Sequence, residues 1–186
     1  IHRDLKPENV FLIKDPLLPG FERTKSLDFG IAKVDPSKLV TNINGAVTAR
    51  KGRLTQVGLM LGSPLYMPPE QHQELSTVTD RGDVYSLGVL LYELLAAKVP
   101  FYPDGALEVM AMHLQQPPPP LRNIDASLPE PVIALVMAML EKSPPRRPSM
   151  AETESRLSAL LQEAELQAQL KKSLSMPSLS AGTLSG

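Results

Sequence analysis

The chain has 186 residues, 42% apolar and 21% charged, with 19 Lys and Arg against 20 Asp and Glu. That is enough for one domain with a real core, and the balanced charge excludes the chain-wide basic field of a nucleic-acid binder. With no cysteine and three scattered histidines, disulfide scaffolds, thiolate metal sites and zinc clusters are excluded as well.

No apolar run approaches the roughly 20 residues of a membrane span, and no signal-peptide pattern opens the chain. The expectation is a soluble, cytoplasmic protein without a nucleic-acid partner or a membrane segment. The first residue is Ile1 rather than Met, which is expected of a fragment.

Nineteen prolines and eleven glycines divide the sequence into blocks. Residues 10–13, Val-Phe-Leu-Ile, read as a short buried strand. Lys25-Ser26-Leu27 is its candidate hairpin partner, across a loop punctuated by Pro16, Pro19 and Gly20. From Gly30 to Leu65 no period is sustained, and the stretch reads as a long functional or mobile loop.

After this loop the pattern turns helical. Asp80 is a candidate N-cap for a helix carrying Val84, Leu87, Gly88, Leu91, Leu94 and Leu95, apolar nearly all round and hence central to a core. A second helix, from near Asp104, places Leu107, Met110, Ala111 and Leu114 on one stripe and stops before Pro117 to Pro120. A third presents Val132, Leu135, Val136, Met139 and Leu140. A fourth opens on a capping box, Ser149-x-x-Glu152, and runs through Leu157, Leu160 and Leu161. Methionines on these faces read as core filler. The folded domain is set at 1–163, and 164–186 reads as a Ser-rich, disordered tail.

The chemistry lies near the start. His2-Arg3-Asp4-Leu5-Lys6-Pro7-Glu8-Asn9 resembles the catalytic loop of eukaryotic-type protein kinases, and Leu27-Asp28-Phe29-Gly30 their metal-binding motif. Five fixed positions at this spacing arise by chance on the order of once in ten thousand chains of this length. Gly62-Ser63-Pro64-Leu65-Tyr66-Met67-Pro68-Pro69-Glu70 is similar to the end of their activation segment. Asp83-Val84-Tyr85-Ser86-Leu87-Gly88 resembles the start of the central helix, and Arg146-Arg147-Pro148 the late arginine. The blocks follow family order over residues 1 to about 160. The chain thus resembles the large lobe of a serine/threonine protein kinase, and the form of residues 67–71 points to a bacterial member.

The resemblance implies an α+β, mostly helical fold, large lobe only, with a short hairpin on the nucleotide side. It also implies ATP and Mg²⁺ as cofactors and proteins with Ser or Thr acceptors as substrates. Phosphoryl transfer needs positioning and charge neutralisation more than covalent work by the protein. By the resemblance Asp4 is the base that accepts the hydroxyl proton, and Lys6 neutralises the transferring phosphoryl group. Asn9 and Asp28 supply hard oxygen ligands for Mg²⁺. Phe11 forms the floor under the adenine. Taken singly, Asp4, Asn9 and Asp28 read better as turn and capping residues; their joint pattern favours the site.

Supporting positions carry over in the same way. His2 packs beneath the second motif, Glu70 and Arg147 form a buried ion pair, and Asp83 holds the catalytic loop. Arg3 is the arginine that pairs with a phosphorylated residue of the activation segment, with Thr41, Thr48 and Thr55 as candidates and Thr55 the best spaced. Ser63 is expected to contact Asp4 and Lys6. His72 and His113 read as ordinary surface or helix histidines.

Three features depart from the family pattern. An insertion over residues 14–21 lengthens the hairpin loop, which loop-closure entropy tolerates. Pro68 replaces the alanine expected before Pro69-Glu70. No Gly-x-Gly-x-x-Gly pattern, strand lysine or paired helix glutamate precedes Ile1, so residues 1–186 alone are expected to bind ATP weakly and to transfer phosphate poorly. Two other classes therefore stand beside the enzyme: a catalytically weak or inactive kinase-fold interaction module, and a small-molecule phosphotransferase. Lys6 and the intact Asp28-Phe29-Gly30 disfavour the latter.

Overall fold

The computed structural model describes residues 1–17, 22–27, 64–73 and 79–174. Strands β1 (Val10–Lys14) and β2 (Glu22–Ser26) pair antiparallel, Val10 opposite Ser26 and Lys14 opposite Glu22. The pairing continues one step beyond β2, where the Leu27 amide donates to the Asn9 carbonyl at 2.9 Å. Five helices follow: α1 (Pro69–Gln73), α2 (Asp80–Ala96), α3 (Ala106–Gln115), α4 (Glu130–Met139) and α5 (Met150–Leu174). Short 3₁₀ turns at Pro7–Asn9, Pro64–Tyr66, Leu121–Asn123 and Pro144–Arg146 join them, each at or beside proline.

Helix α2 is the axis of the core. Its Tyr85, Val89 and Tyr92 pack with Tyr66, Val99, Leu121, Ile133, Val136 and Leu140. On another side Val84 meets Leu135 and Met139 of α4, with Leu157 and Leu160 of α5 leaning on them. Helices α2 and α4 approach closely because residue 88 is glycine: a Cβ there would lie 2.9 Å from the Met139 Cβ. The helix does not bury every apolar residue, since Leu94 stays 72% exposed near its C-terminus.

Several expectations need correction. The strand expected to be buried is solvent-facing, with Phe11 47% and Leu12 66% exposed. A two-stranded ribbon has two faces, and among the described residues no second layer covers these side chains. The cap of α2 is Thr79, whose hydroxyl accepts from the Arg81 amide at 3.3 Å, and Asp80 is the first helical residue. Helix α3 is rotated from its expected stripe. It buries Val109 and His113, while Leu107 is 71% exposed. The longest apolar residues do not decide its orientation; the inward residues are Val109, 3% exposed, and His113, whose polar contacts are described below.

Helix α5 starts as expected, on a reciprocal capping box. The Ser149 amide donates to the Glu152 carboxylate at 2.6 Å, and the Glu152 amide to Ser149 Oγ at 3.1 Å. It then runs through residues 164–174, where the composition predicts a disordered tail. Glu163, Ala164, Glu165, Leu166, Gln167, Ala168 and Leu170 are all strong helix formers, and no proline intervenes before Pro177. No helix among the described residues is long and apolar enough to cross a membrane.

Candidate active site

The segment 2–9 is fixed from below by a single carboxylate. Asp83, buried on the first turn of α2, accepts from the His2 amide at 2.6 Å and from the Arg3 amide at 2.7 Å. A carboxylate near a helix N-terminus is also favoured by the helix dipole. These two charge-assisted bonds hold Arg3 at φ 65°, left-handed backbone that a long cationic residue does not adopt unaided. Gln71 of α1 adds a bond from Nε2 to the Arg3 carbonyl at 3.4 Å.

His2 sits under the loop. Its Nδ1 accepts from the Asp4 amide at 3.4 Å, which leaves the ring proton on Nε2, 2.5 Å from Ser26 Oγ of β2. The ring thereby joins the loop to the hairpin and is committed at both nitrogens.

Above this support lie the polar groups. Asn9 donates through Nδ2 to the Asp4 carbonyl at 2.8 Å and to its carboxylate at 3.3 Å. Lys6 Nζ stands 3.6 Å from that carboxylate, each side chain 22% exposed. A carboxylate, an ammonium group and a carboxamide thus converge in half-open surroundings. The adjoining cleft is lined by Arg3, Asp4, Lys6, Tyr66, Met67 and Gln71, among others.

Mg²⁺ prefers hard oxygen donors. Because Asn9 spends its amide nitrogen on Asp4, its Oδ1 is the atom left for such a role, and the residue fits the ion. Among the described residues no cluster of three His, Asp or Glu is spaced to hold a metal. Asp28, the other expected ligand, lies outside the described residues, as do Thr41, Thr48, Thr55 and Ser63. Phe11 is on β1, two residues beyond Asn9.

Farther from the cleft, Glu70 of α1 and Arg147 form a bidentate pair, Nη1 to Oε1 at 2.7 Å and Nη2 to Oε2 at 2.8 Å. The other guanidinium protons go to the carbonyls of Glu141, Arg81 and Lys142 at 2.7, 2.8 and 3.0 Å. All five donors of this arginine are therefore satisfied. Its face lies 4.8 Å from the centre of the Tyr85 ring.

Sequence reasoning missed a second polar group. Tyr85, His113 and Lys142 are linked in the interior, and His113 reaches the carbonyl of Leu65 at 3.0 Å. Burial, with His72 and Lys142 nearby, pushes the His113 imidazole down to about 3. Burial likewise pulls Lys142 down to about 8, with Arg147 adding to the effect. The phenol of Tyr85 is held well above its usual range by burial. The one available signal was position: His113 falls four residues after Val109, on the inward face of α3.

Residues 1–156 match the protein kinase domain family. The chain belongs to that family. It is 40% identical over 154 residues to serine/threonine-protein kinase pkn3 of Myxococcus xanthus, covering 82% of this chain and 26% of that protein. Serine/threonine-protein kinase A of Synechocystis is 37% identical over 155 residues, 82% of this chain and 26% of the relative. Serine/threonine-protein kinase PknA of Mycobacterium tuberculosis is 38% identical over 147 residues, 79% and 28% respectively. These relatives are bacterial serine/threonine kinases of the eukaryotic type, and the chain spans about a quarter of the length of each. The matched residues include the hairpin, helices α1 to α4 and the first turns of α5, which runs on past residue 156.

Proposed function

We propose that this chain carries the catalytic large lobe of a serine/threonine protein kinase, which moves the ATP γ-phosphoryl group to protein hydroxyls. The observation that carries this reading is the grouping of Asp4, Lys6 and Asn9 on one anchored loop, with Lys6 and Asn9 both within 3.6 Å of the Asp4 carboxylate. Asp4 is the group that orients the acceptor hydroxyl and takes its proton. Lys6, beside it, offsets the negative charge of the phosphoryl group in flight. Asn9 Oδ1, with Asp28, would hold Mg²⁺, which when bound neutralises the phosphates. Phe11 contributes an exposed apolar face for the adenine.

Arg3 fits a control function. Its Nε is buried without an acceptor among the described residues, an unusual state for a strong donor. A phosphate on the activation segment, with Thr55 as the leading candidate, would supply that acceptor. Ser63 is proposed to help select hydroxyl-bearing acceptors.

The test is incubation of the complete gene product with γ-labelled ATP, Mg²⁺ and casein, followed by phosphoamino-acid analysis. Label in phosphoserine or phosphothreonine is the expected result. Label passed only to small alcohols would replace this reading with a small-molecule phosphotransferase. No transfer would leave a kinase-fold interaction module.

A further inference from the structure

The turn Pro64–Tyr66 forms one wall of the cleft, because Tyr66 lines it together with Asp4 and Lys6. Whatever fixes this turn fixes the wall against which an acceptor chain would lie. Two consecutive carbonyls of the turn are held from two different helices. Ser86 of α2 donates through Oγ to the Tyr66 carbonyl at 2.7 Å. His113 of α3 contacts the Leu65 carbonyl through Nε2 at 3.0 Å.

The direction of every bond in this second contact follows from chemistry. A carbonyl only accepts, so Nε2 bears the proton. A neutral ring then has a lone pair on Nδ1, which accepts from the Tyr85 hydroxyl at 2.9 Å. The Tyr85 oxygen in turn accepts from Lys142 Nζ at 3.4 Å, and Lys142 also donates to the Met112 carbonyl at 3.4 Å. A one-way chain of donors thus runs from Lys142 through Tyr85 and His113 to Leu65. His113 is fully buried, and the Phe101 ring meets it edge-on, 5.0 Å between centroids. A residue that only filled space here would need none of these polar atoms.

We propose that His113 is a positioning residue for the protein substrate: it sets the place of the 64–66 turn relative to Asp4 and so the binding of the acceptor. The proposal rests on the kinase reading above. His113 lies outside the machinery that handles ATP, so its loss acts on acceptor binding and leaves nucleotide binding intact.

The experiment compares the complete gene product with its His113→Phe, His113→Gln and His113→Asn variants. A glutamine amide nitrogen can take the place of Nε2, whereas that of asparagine reaches only the place of Nδ1. One readout is hydrogen exchange at the Met67 amide, which closes the turn onto the Pro64 carbonyl at 3.3 Å, with α4 amides as control. The other is KM for casein against KM for ATP. One lost hydrogen bond predicts a rise of about fivefold to tenfold in casein KM and in Met67 exchange for the Phe and Asn variants. ATP KM and α4 exchange should stay within about twofold, and Gln should restore most of the loss. If the Phe variant fails to fold, the Gln and Asn pair decides.

Unchanged Met67 exchange, equal shifts in both KM values, or a Gln variant no better than Asn would overturn the proposal. A wild-type protein that labels neither casein nor itself would overturn the kinase reading and the acceptor claim with it. The exchange data would then still show, independently of activity, whether His113 fixes the turn.

Discussion

Glu70 and Arg147 stand 77 residues apart in sequence and share two parallel hydrogen bonds of 2.7 and 2.8 Å in the interior. The pair ties α1 to the segment that leads into α5, and Arg147 also gathers three backbone carbonyls. Removing the carboxylate strands a buried cation. Glu70→Ala should therefore cost about 3–5 kcal/mol, and lower the melting temperature by roughly 10 °C. Calorimetry checks this, and an unchanged transition would show that the pair does not stabilise the fold.

Asp83 serves the loop rather than the core. Asn at that position keeps one acceptor and turns an amide N–H toward a backbone donor. Each lost charge-assisted bond contributes about 1.5–3 kcal/mol. Asp83→Asn should release the strained backbone at Arg3 and displace Asp4, so that kcat falls more steeply than thermal stability. Parallel turnover and melting measurements separate the two, and equal losses would mean that Asp83 acts on stability alone.

Gly88 marks a close approach of α2 and α4. A methyl group there meets the Met139 Cβ at 2.9 Å, a carbon that cannot swing aside. Overpacking of this kind costs about 1–3 kcal/mol. Alanine gains roughly 1 kcal/mol in helix propensity, which is too little to reverse the sign. Gly88→Ala should thus be destabilising in urea titration, and a stabilised variant would show that the helices separate freely.

The His113 imidazole is pushed from 6.5 down to about 3 by burial, with His72 and Lys142 also facing it and the Tyr85 hydroxyl on its Nδ1. In this range the unfolded chain binds a proton at His113 that the folded chain refuses. Stability from this group therefore rises with pH across roughly pH 3 to 6.5, and is lost as pH falls through that window. Every pH unit across which the two states differ by one proton is equivalent to about 1.4 kcal/mol, so the effect is large enough to measure. His113→Gln should flatten that part of the stability profile, read from denaturant midpoints at several pH values.

Much of the fold is legible in the sequence because it is local. The capping box at Ser149 and Glu152, the proline run after α3 and the apolar face of α4 depend on neighbours within a few residues, and each element occurs where those signals place it. The residues proposed for the catalytic loop are equally visible, since the resemblance rests on their types and spacing. The orientation of α3 is not visible. The apolar stripe of Leu107 and Met110 points to another face, and the partners of the inward His113, Tyr85 and Leu65, lie 28 and 48 residues away. The exposure of β1 is hidden for a related reason, because an apolar run says that a partner layer is wanted and not where it lies. The length of α5 is masked by the serines near the chain end, although the Ala, Glu, Gln and Leu before them favour helix.

In the proposed kinase reading, the Asp4 carboxylate is the group on which phosphoryl transfer depends. Its most direct test is transfer of labelled phosphate from ATP to casein by the complete gene product, wild type against Asp4→Asn, with thermal melting measured in parallel. Removing a general base typically lowers turnover by about 10²- to 10⁴-fold, and a loss of that size with an unchanged melting temperature is the predicted result. An Asp4→Asn protein that transfers phosphate as fast as wild type would contradict the assignment.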